Sequence, residues 1–198
     1  DVRPGDFRFV DINGDGVIND KDRTFIGSPL PKFTYGSFAS AYGYGFDFSL
    51  SILGTKGNDI FNMTKYYTHG NSNSNYSKEL LDAWTPENKD TKIPRIGGDN
   101  YAYASSAFLE KGSFMRVKDV VLGYTLPNKL LSKIKVKKIR VYAQAQNLLT
   151  ITKYSGFDPE IGKNEQLYSK DEQTLELGVD RGSYPQARAF LFGVNLGL

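Results

Sequence analysis

Alternating apolar and polar positions predict a series of β-strands along this chain. The clearest case is residues 46–52, where every even position carries a large apolar side chain and every odd position a polar one. A period of two is typical of a strand with two unlike faces. Weaker forms of this pattern predict further strands over residues 6–10, 31–44, 108–126, 137–152 and 189–198.

Two of the predicted strands carry more detail. In residues 108–126 the apolar positions change phase near Lys118 and Asp119, which predicts a β-bulge. In the last strand one set of alternate positions is apolar up to the final residue: Phe190, Phe192, Val194, Leu196 and Leu198. A wholly apolar face suits contact with lipid better than contact with water.

The connections between the predicted strands alternate between short and long. Residues 43–45 and 127–136 are short, whereas residues 59–107 and 153–186 are long and polar, with one short helix predicted at residues 77–84. Outer-membrane barrels show this asymmetry, because their periplasmic turns are short and their extracellular loops are long. The pattern predicts an all-β fold made of the C-terminal antiparallel strands of a large transmembrane β-barrel with long extracellular loops. A soluble sandwich stays open, since it also uses alternating strands.

Composition narrows the range of functions. The chain has 198 residues, with 13 Tyr, 13 Phe and 20 Gly, which favours strands and turns. Its net charge of +3 is spread along the chain, which argues against a nucleic-acid partner. Because it has no cysteine, a disulfide framework, a thiolate zinc site and a cysteine nucleophile are excluded. The chain starts at Asp1, so we expect a fragment of a longer protein.

Residues 11–22 have the spacing of a calcium-binding loop. Calcium prefers six or more oxygen ligands, and Gly16 allows the sharp turn that such loops need. The expected Ca²⁺ ligands are Asp11, Asn13, Asp15, the backbone carbonyl of Val17, Asn19 through water, and Asp22. Asp22 stands where an EF-hand has glutamate, and no helix pattern flanks the loop. We therefore predict a structural Ca²⁺ that fixes a surface loop, with an Asx-rich turn without metal as the alternative.

Other candidate residues favour no catalytic site. His69, the only histidine, lies in a Gly/Asn/Ser-rich loop and is expected to face solvent. Asp158 and Glu160 could pair as acid and base, although a loop turn is the better interpretation. Loop aromatic residues could stack on a sugar or peptide ligand, but packing among the loops is favoured: Tyr66, Tyr67, Tyr76, Trp84, Tyr101 and Tyr103. We predict that the chain is not an enzyme.

Several motifs follow one another along nearly the whole chain: residues 11–29 (DINGDGVINDKDRTFIGSP), 33–36 (FTYG), 57–62 (GNDIFN), 112–118 (GSFMRVK), 122–127 (LGYTLP), 146–150 (QNLLT) and 184–186 (YPQ). Together they resemble the late barrel region of SusC/RagA-type TonB-linked outer-membrane proteins. No single motif is specific, but the set is. On this resemblance we divide the chain into residues 1–30, an extracellular loop with the calcium-binding-like motif, and residues 31–198, the C-terminal barrel strands and loops.

The resemblance implies a nutrient importer in the cell outer membrane. The barrel would have about 22 strands, with its plug and TonB-contact segments upstream of this chain. A SusD-like surface lipoprotein would cap the barrel and capture a glycan or peptide ligand, and outer-membrane lipid would surround it. Energy would come from the TonB complex, which contacts the missing N-terminal part.

Two other functions stay open from sequence alone. One is a soluble secreted β module that is stabilised by calcium and binds carbohydrate or protein. The other is an envelope hydrolase that uses Asp158 and Glu160. The calcium loop does not recur and no helix follows it, which argues against a dockerin-like module.

Overall fold

The computed structural model describes residues 2–70, 75–132, 136–161 and 176–197. Eight strands run through these residues, most of them in the predicted places. They are β1 (Phe33–Gly43), β2 (Phe46–Lys56), β3 (Asp59–Asn62), β4 (Leu109–Lys111), β5 (Phe114–Thr125), β6 (Lys138–Thr152), β7 (Val179–Asp180) and β8 (Ala189–Gly197).

Five long strands form one antiparallel sheet in the order β1-β2-β5-β6-β8. Each strand therefore lies beside the long strand that precedes it in the chain, as in a meander. A two-residue turn joins β1 to β2, and both of its residues have positive φ, Tyr44 at 50° and Gly45 at 86°. This backbone matches the right-handed twist of a hairpin, so the short turn predicted at residues 43–45 is confirmed.

The predicted β-bulge is present at Lys118. Val117 pairs with Ile52 and Asp119 pairs with Ser51, so Lys118 has no partner of its own on β2. The register between β5 and β6 shifts at the same level, where Asn147 on β6 has a φ of 49°. The bulge explains why the apolar positions change phase here, since one extra residue exchanges the two faces of a strand.

Helical segments are short. Three are 3-10 helices, at Asp20–Asp22, Lys78–Asp82 and Ser106–Phe108; one π turn spans Tyr66–Gly70, and α1 spans Asn128–Leu131. The helix predicted at residues 77–84 is thus present in a shorter form. Its N-cap is Ser77, whose side chain accepts the backbone N–H of Glu79. Within the described residues, no helix has the length and apolar character to cross a membrane.

The strand predicted at residues 6–10 is wrong, because this segment makes side-chain contacts in place of a strand ladder. The backbone N–H of Phe7 donates to the Asn100 side chain. The rings of Phe7 and Phe9 pack edge-on against Tyr101 and Tyr103. The alternation of aromatic residues in this segment therefore arises from their packing onto a distant loop.

The chain divides into two compact units. One comprises Asp1–Ser28, Ile60–Glu110 and Ile161–Gly182, and the other comprises Pro29–Asp59, Lys111–Glu160 and Ser183–Leu198. The first unit has its own apolar core, which includes Ile60, Leu80, Tyr101 and Phe108. It also holds most of a second sheet, of order β4-β3-β7. β4 lies within the strand predicted at residues 108–126, whereas β3 and β7 lie in stretches that the sequence predicted as loop. The second unit contains the five-stranded sheet.

Candidate functional site

The five-stranded sheet has an apolar face built from cross-strand rows. One row is Phe46, Tyr124, Val141 and Val194; the next is Phe48, Leu122, Ala143 and Phe192; the third is Leu50, Val120, Ala145 and Phe190. Directly paired residues point to the same side of a sheet. Most of the large side chains in these rows are exposed, and Phe192 reaches 81%. An exposed patch of this extent marks a surface that meets something apolar.

The opposite, polar face carries an ion pair that spans a strand. The Arg140 guanidinium donates two hydrogen bonds to the Asp47 carboxylate. Its Nε donates to Oδ1 at 2.8 Å, and its Nη2 donates to Oδ2 at 2.6 Å. The pair passes from β6 to β2 over Gly123 on β5. A Cβ at position 123 would lie 2.5 Å from both Arg140 Nη2 and Asp47 Oδ1. Glycine is therefore the residue that leaves room for this bidentate contact.

A second polar-face glycine lies beneath an aromatic ring. Tyr142 covers Gly193 on β8, where a Cβ would stand 2.4 Å from the ring. The Arg140 guanidinium lies over the Tyr142 ring at 4.9 Å from its centroid, in a cation–π contact. Next along the strands, Gln144 donates to Asp119 at 2.7 Å. Arg140, Tyr142 and Gln144 thus form a polar ladder on β6, as the alternation of residues 137–152 predicted.

Beyond the bulge, Arg116 is the centre of a buried ion cluster. Its Nε donates to Thr150 at 2.8 Å, its Nη1 to Glu160 at 2.7 Å and its Nη2 to Asp158 at 2.6 Å. Only 2% of the Arg116 side chain is exposed. The other Asp158 oxygen accepts the backbone N–H of Gln186 at 3.0 Å. We call Arg116, Thr150, Asp158 and Glu160 the Arg116 cluster.

The cluster gives Asp158 and Glu160 a different role from an acid–base pair. Burial raises the pKa of Asp158, but the backbone N–H groups of Gln186 and Glu160 and the Arg116 guanidinium lower it further than burial raises it. The net pKa is lowered, whereas a general acid at neutral pH needs a raised pKa. Both carboxylates are bound to the same guanidinium, as in a structural ion pair.

The predicted calcium ligands lie together in one exposed loop. Asp11 accepts the backbone N–H groups of Gly14 and Gly16, and Asp15 accepts that of Val17. Asn13 accepts the N–H of Asp15 and donates to its carboxylate, and Asn19 donates to the Val17 carbonyl. Asp22 closes the loop by accepting the N–H groups of Ile12 and Asn19. Those N–H groups lower the pKa of Asp22.

This loop presents its oxygens in the form of an Asx-rich turn. In the described part of the chain, no three His, Cys, Asp or Glu side chains cluster as metal ligands. A carboxylate has about four lone-pair sites, so each one in the loop keeps acceptor capacity beyond its N–H bonds. Three carboxylates, two amides and a carbonyl are a donor set that suits a hard cation such as Ca²⁺.

His69 does not face solvent as the sequence suggested, because its side chain is only 4% exposed. Its Nδ1 is 2.9 Å from the Thr68 hydroxyl and its Nε2 is 3.0 Å from Glu79. The ring also packs beside Tyr101, which is buried. Packing is the role of Tyr101, as the sequence favoured, and burial raises its pKa to about 12.

Asp6 fixes the N-terminal segment of the same unit. Hydrogen bonds from Arg95 and from the backbone N–H of Arg3 lower the pKa of Asp6 from 3.8 to about 2. Folding lowers the pKa of Asp6, so the ionised carboxylate stabilises the fold. This stabilisation is complete at pH values above the ordinary pKa and is lost as pH falls toward 2. Asn100 also donates to this carboxylate at 3.1 Å.

We expect Asp6→Asn to loosen residues 93–100, since the uncharged amide binds Arg95 more weakly. Hydrogen exchange at neutral pH should become faster there, and the difference from wild type should shrink as pH approaches 2. Asp20→Asn is a suitable control, since it removes an exposed carboxylate that pairs with the exposed Arg23. Equal exchange in both variants at neutral pH would contradict the assignment.

Comparison with known proteins shows which proteins this chain is similar to. No protein-family model matches the chain. A TonB-dependent receptor, P3, from Formosa agariphila is 35% identical over 196 residues, which are 99% of this chain and 19% of that receptor. The TonB-dependent receptor SusC of Bacteroides thetaiotaomicron is 30% identical over 200 residues, which are 98% of this chain and 18% of SusC. Over nearly its whole length the chain is similar to one part of TonB-dependent receptors, SusC among them. It spans less than a fifth of the length of these relatives.

Two solved structures are similar to this chain in fold. The RagAB peptide transporter matches with a TM-score of 0.69 at 32% identity, over 86% of this chain and 17% of that one. The RagAB peptide importer in its open-open state matches with a TM-score of 0.67 at 31% identity, over 85% of this chain and 17% of that one. The predicted all-β fold is confirmed, and the five-stranded sheet is antiparallel throughout. Proteins of this family reside in the outer membrane, so the predicted localisation is confirmed as well.

Proposed function

We propose that this chain forms part of the barrel wall of a TonB-dependent outer-membrane importer. The exposed apolar face of the five-stranded sheet carries this proposal. On a barrel wall that face contacts outer-membrane lipid, and the polar face with Arg140, Asp47 and Gln144 lines the interior. The chain contributes a wall and its loops, and it has no catalytic role.

The transported ligand is a glycan or a peptide. The similarity to the RagAB peptide transporter supports a peptide ligand. A SusD-like surface lipoprotein assembles with the receptor, and the TonB complex drives it through the part of the receptor that lies outside this chain. β2 and β6 are both antiparallel to β5, so they run in the same direction and end at the same edge of the five-stranded sheet. We propose that ligand and lipoprotein meet the receptor on that side.

Deletion of the receptor gene in its host tests this function. Uptake of fluorescent peptides or of labelled oligosaccharides should be lost and should return with the full-length gene. An affinity-tagged receptor, purified from detergent-solubilised outer membrane, should retain a surface lipoprotein. If uptake of both ligand classes is unchanged and no lipoprotein is retained, the proposal is wrong.

Solution behaviour separates the barrel wall from a soluble secreted module. The isolated chain should aggregate without detergent, because it exposes one apolar face and the unpaired edges of β1 and β8. Size-exclusion chromatography with and without calcium measures this. A monodisperse soluble monomer that calcium stabilises would support the secreted module and would contradict the barrel.

We propose further that the loop of residues 11–22 binds Ca²⁺ through Asp11, Asn13, Asp15, Val17, Asn19 and Asp22. The oxygen-rich donor set and its position-by-position spacing support this. A bound ion would hold the loop in one conformation, which is a structural role.

We expect Asp15→Asn to weaken Ca²⁺ binding at least about tenfold, since the site loses one carboxylate charge. The amide oxygen can still accept the Val17 N–H, so the turn itself should persist. Isothermal titration of the chelator-treated full-length receptor with Ca²⁺ measures the affinity. Asp20→Asn, a matched loss of one carboxylate outside the ligand set, should bind like wild type, and equal affinity in Asp15→Asn would exclude the site.

A further inference from the structure

The Arg116 cluster joins three segments that are separate in sequence. Arg116 lies on β5, Thr150 lies on β6, and Asp158 and Glu160 lie after the end of β6. Through its second oxygen, Asp158 also binds the backbone of Gln186, just before β8 begins. The Arg116 side chain therefore contacts β6 and the segment after it directly, and the segment before β8 through Asp158.

Only arginine can make these contacts together. Its planar guanidinium directs Nε, Nη1 and Nη2 to three different acceptors, whereas lysine has a single ammonium group. The guanidinium is almost fully buried, so its charge requires the carboxylates, and Asp158 is buried with it. Each member of the Arg116 cluster therefore depends on the others to remain buried.

We propose that Arg116 is a positioning residue that fixes residues 153–160 and 183–188 onto the start of β5. These segments are then a rigid part of the barrel rim. They carry two exposed aromatic rings, Phe157 and Tyr184, and the cluster holds the backbone that presents them. The consequence for transport rests on the proposed importer function, but the positioning role does not.

The cluster should hold throughout the physiological pH range. The charged groups around Asp158 are Arg116, Glu160 and Arg188, and Arg188 lines the same cleft of about 330 Å³. The pKa of Asp158 lies below its ordinary value, so its stabilising effect is present above that value and is lost only as pH falls through the lowered one. The rim is therefore expected to stay fixed across the physiological pH range, without an acid-operated switch within it.

Hydrogen exchange of the full-length receptor in detergent tests the positioning role. Arg116→Gln and Asp158→Asn should raise the exchange rate of residues 153–160 and 183–188 at least about tenfold. Arg116→Lys should restore little of the protection. Arg140→Gln is the matched control, because it breaks another arginine–carboxylate pair on the same face and should leave these peptides unchanged. In wild type the exchange, corrected for its intrinsic pH dependence, should stay flat from about pH 8 to 5 and rise only in stronger acid.

Folding is checked by the shift in gel mobility between heated and unheated receptor. If Arg116→Gln does not fold, Asp158→Asn and Glu160→Gln serve in its place, since both retain the arginine. Wild-type exchange in a folded Arg116→Gln or Asp158→Asn receptor overturns the proposal, as does equal loosening by Arg140→Gln. In uptake assays the cluster variants should raise KM and leave kcat unchanged. Absent uptake by wild type would count against the importer alone, because exchange is measured without transport.

Discussion

Replacing Phe192 by arginine should destabilise the receptor in its membrane by about 2–4 kcal/mol, the cost of a cationic side chain on the lipid face of a barrel near the bilayer midplane. Phe192 stands in the middle of β8, and 81% of it is exposed, so it makes little contact with protein. The loss of stability in Phe192→Arg therefore shows whether lipid or water surrounds the apolar face. A soluble protein with water on this face would tolerate Phe192→Arg with little change.

The matched control for this substitution is Leu191→Arg on the same strand. Leu191 pairs with Gln144 on the polar face, and Gln144 bonds to Asp119, so a cation there meets water and a nearby carboxylate. Both variants are measured as full-length receptor refolded into lipid vesicles and unfolded with guanidinium chloride. If Phe192→Arg lost less unfolding free energy than Leu191→Arg, the face that carries Phe192 would not be the one in contact with lipid, which would contradict the prediction.

Gly54→Ala should cost about 1–3 kcal/mol of unfolding free energy, as expected for overpacking at a buried position. A Cβ at Gly54 would lie 2.4 Å from the backbone carbonyl oxygen of Phe114 and 2.5 Å from the Tyr35 ring. The ring can rotate away, but the carbonyl belongs to the neighbouring strand and cannot. The pairing between β2 and β5 must therefore shift to admit one methyl group.

Gly36→Ala is the control, because the same change on β1 meets no atom closer than 3.9 Å. It should be neutral or slightly stabilising, since alanine loses less backbone entropy than glycine. The difference between the two variants in unfolding free energy isolates the steric effect. Equal stability of Gly54→Ala and Gly36→Ala would mean that β2 and β5 are not paired in the observed register.

The sequence predicted the five-stranded sheet well because its signals are local. Alternation, the hairpin turn and the phase shift at Lys118 each depend on residues that are neighbours in the chain. The same reasoning failed at residues 6–10, where alternation arose from packing of Phe7 on Tyr101. Period alone does not distinguish a strand from an extended segment with a distant partner.

The candidate site was harder to predict, because its contacts join residues that are far apart in sequence. Arg116 and Asp158 are 42 positions apart, and Asp47 and Arg140 are 93 apart. A charged residue at an alternating strand position was a usable signal for Arg140 and Asp47, since it marks the polar face. No local signal showed that His69 is buried against Tyr101 or that Asp158 and Glu160 share one guanidinium.

The glycines beneath aromatic rings have a consequence for the evolution of the fold. Tyr142 and Gly193 on adjacent strands fill one volume between them, and so do Tyr35 and Gly54. Enlarging either glycine first makes a clash with the ring above it, whereas shrinking or moving the ring first leaves only a gap. Substitutions at the two members of each pair should therefore occur together and in that order, so that each pair behaves as a single inherited character.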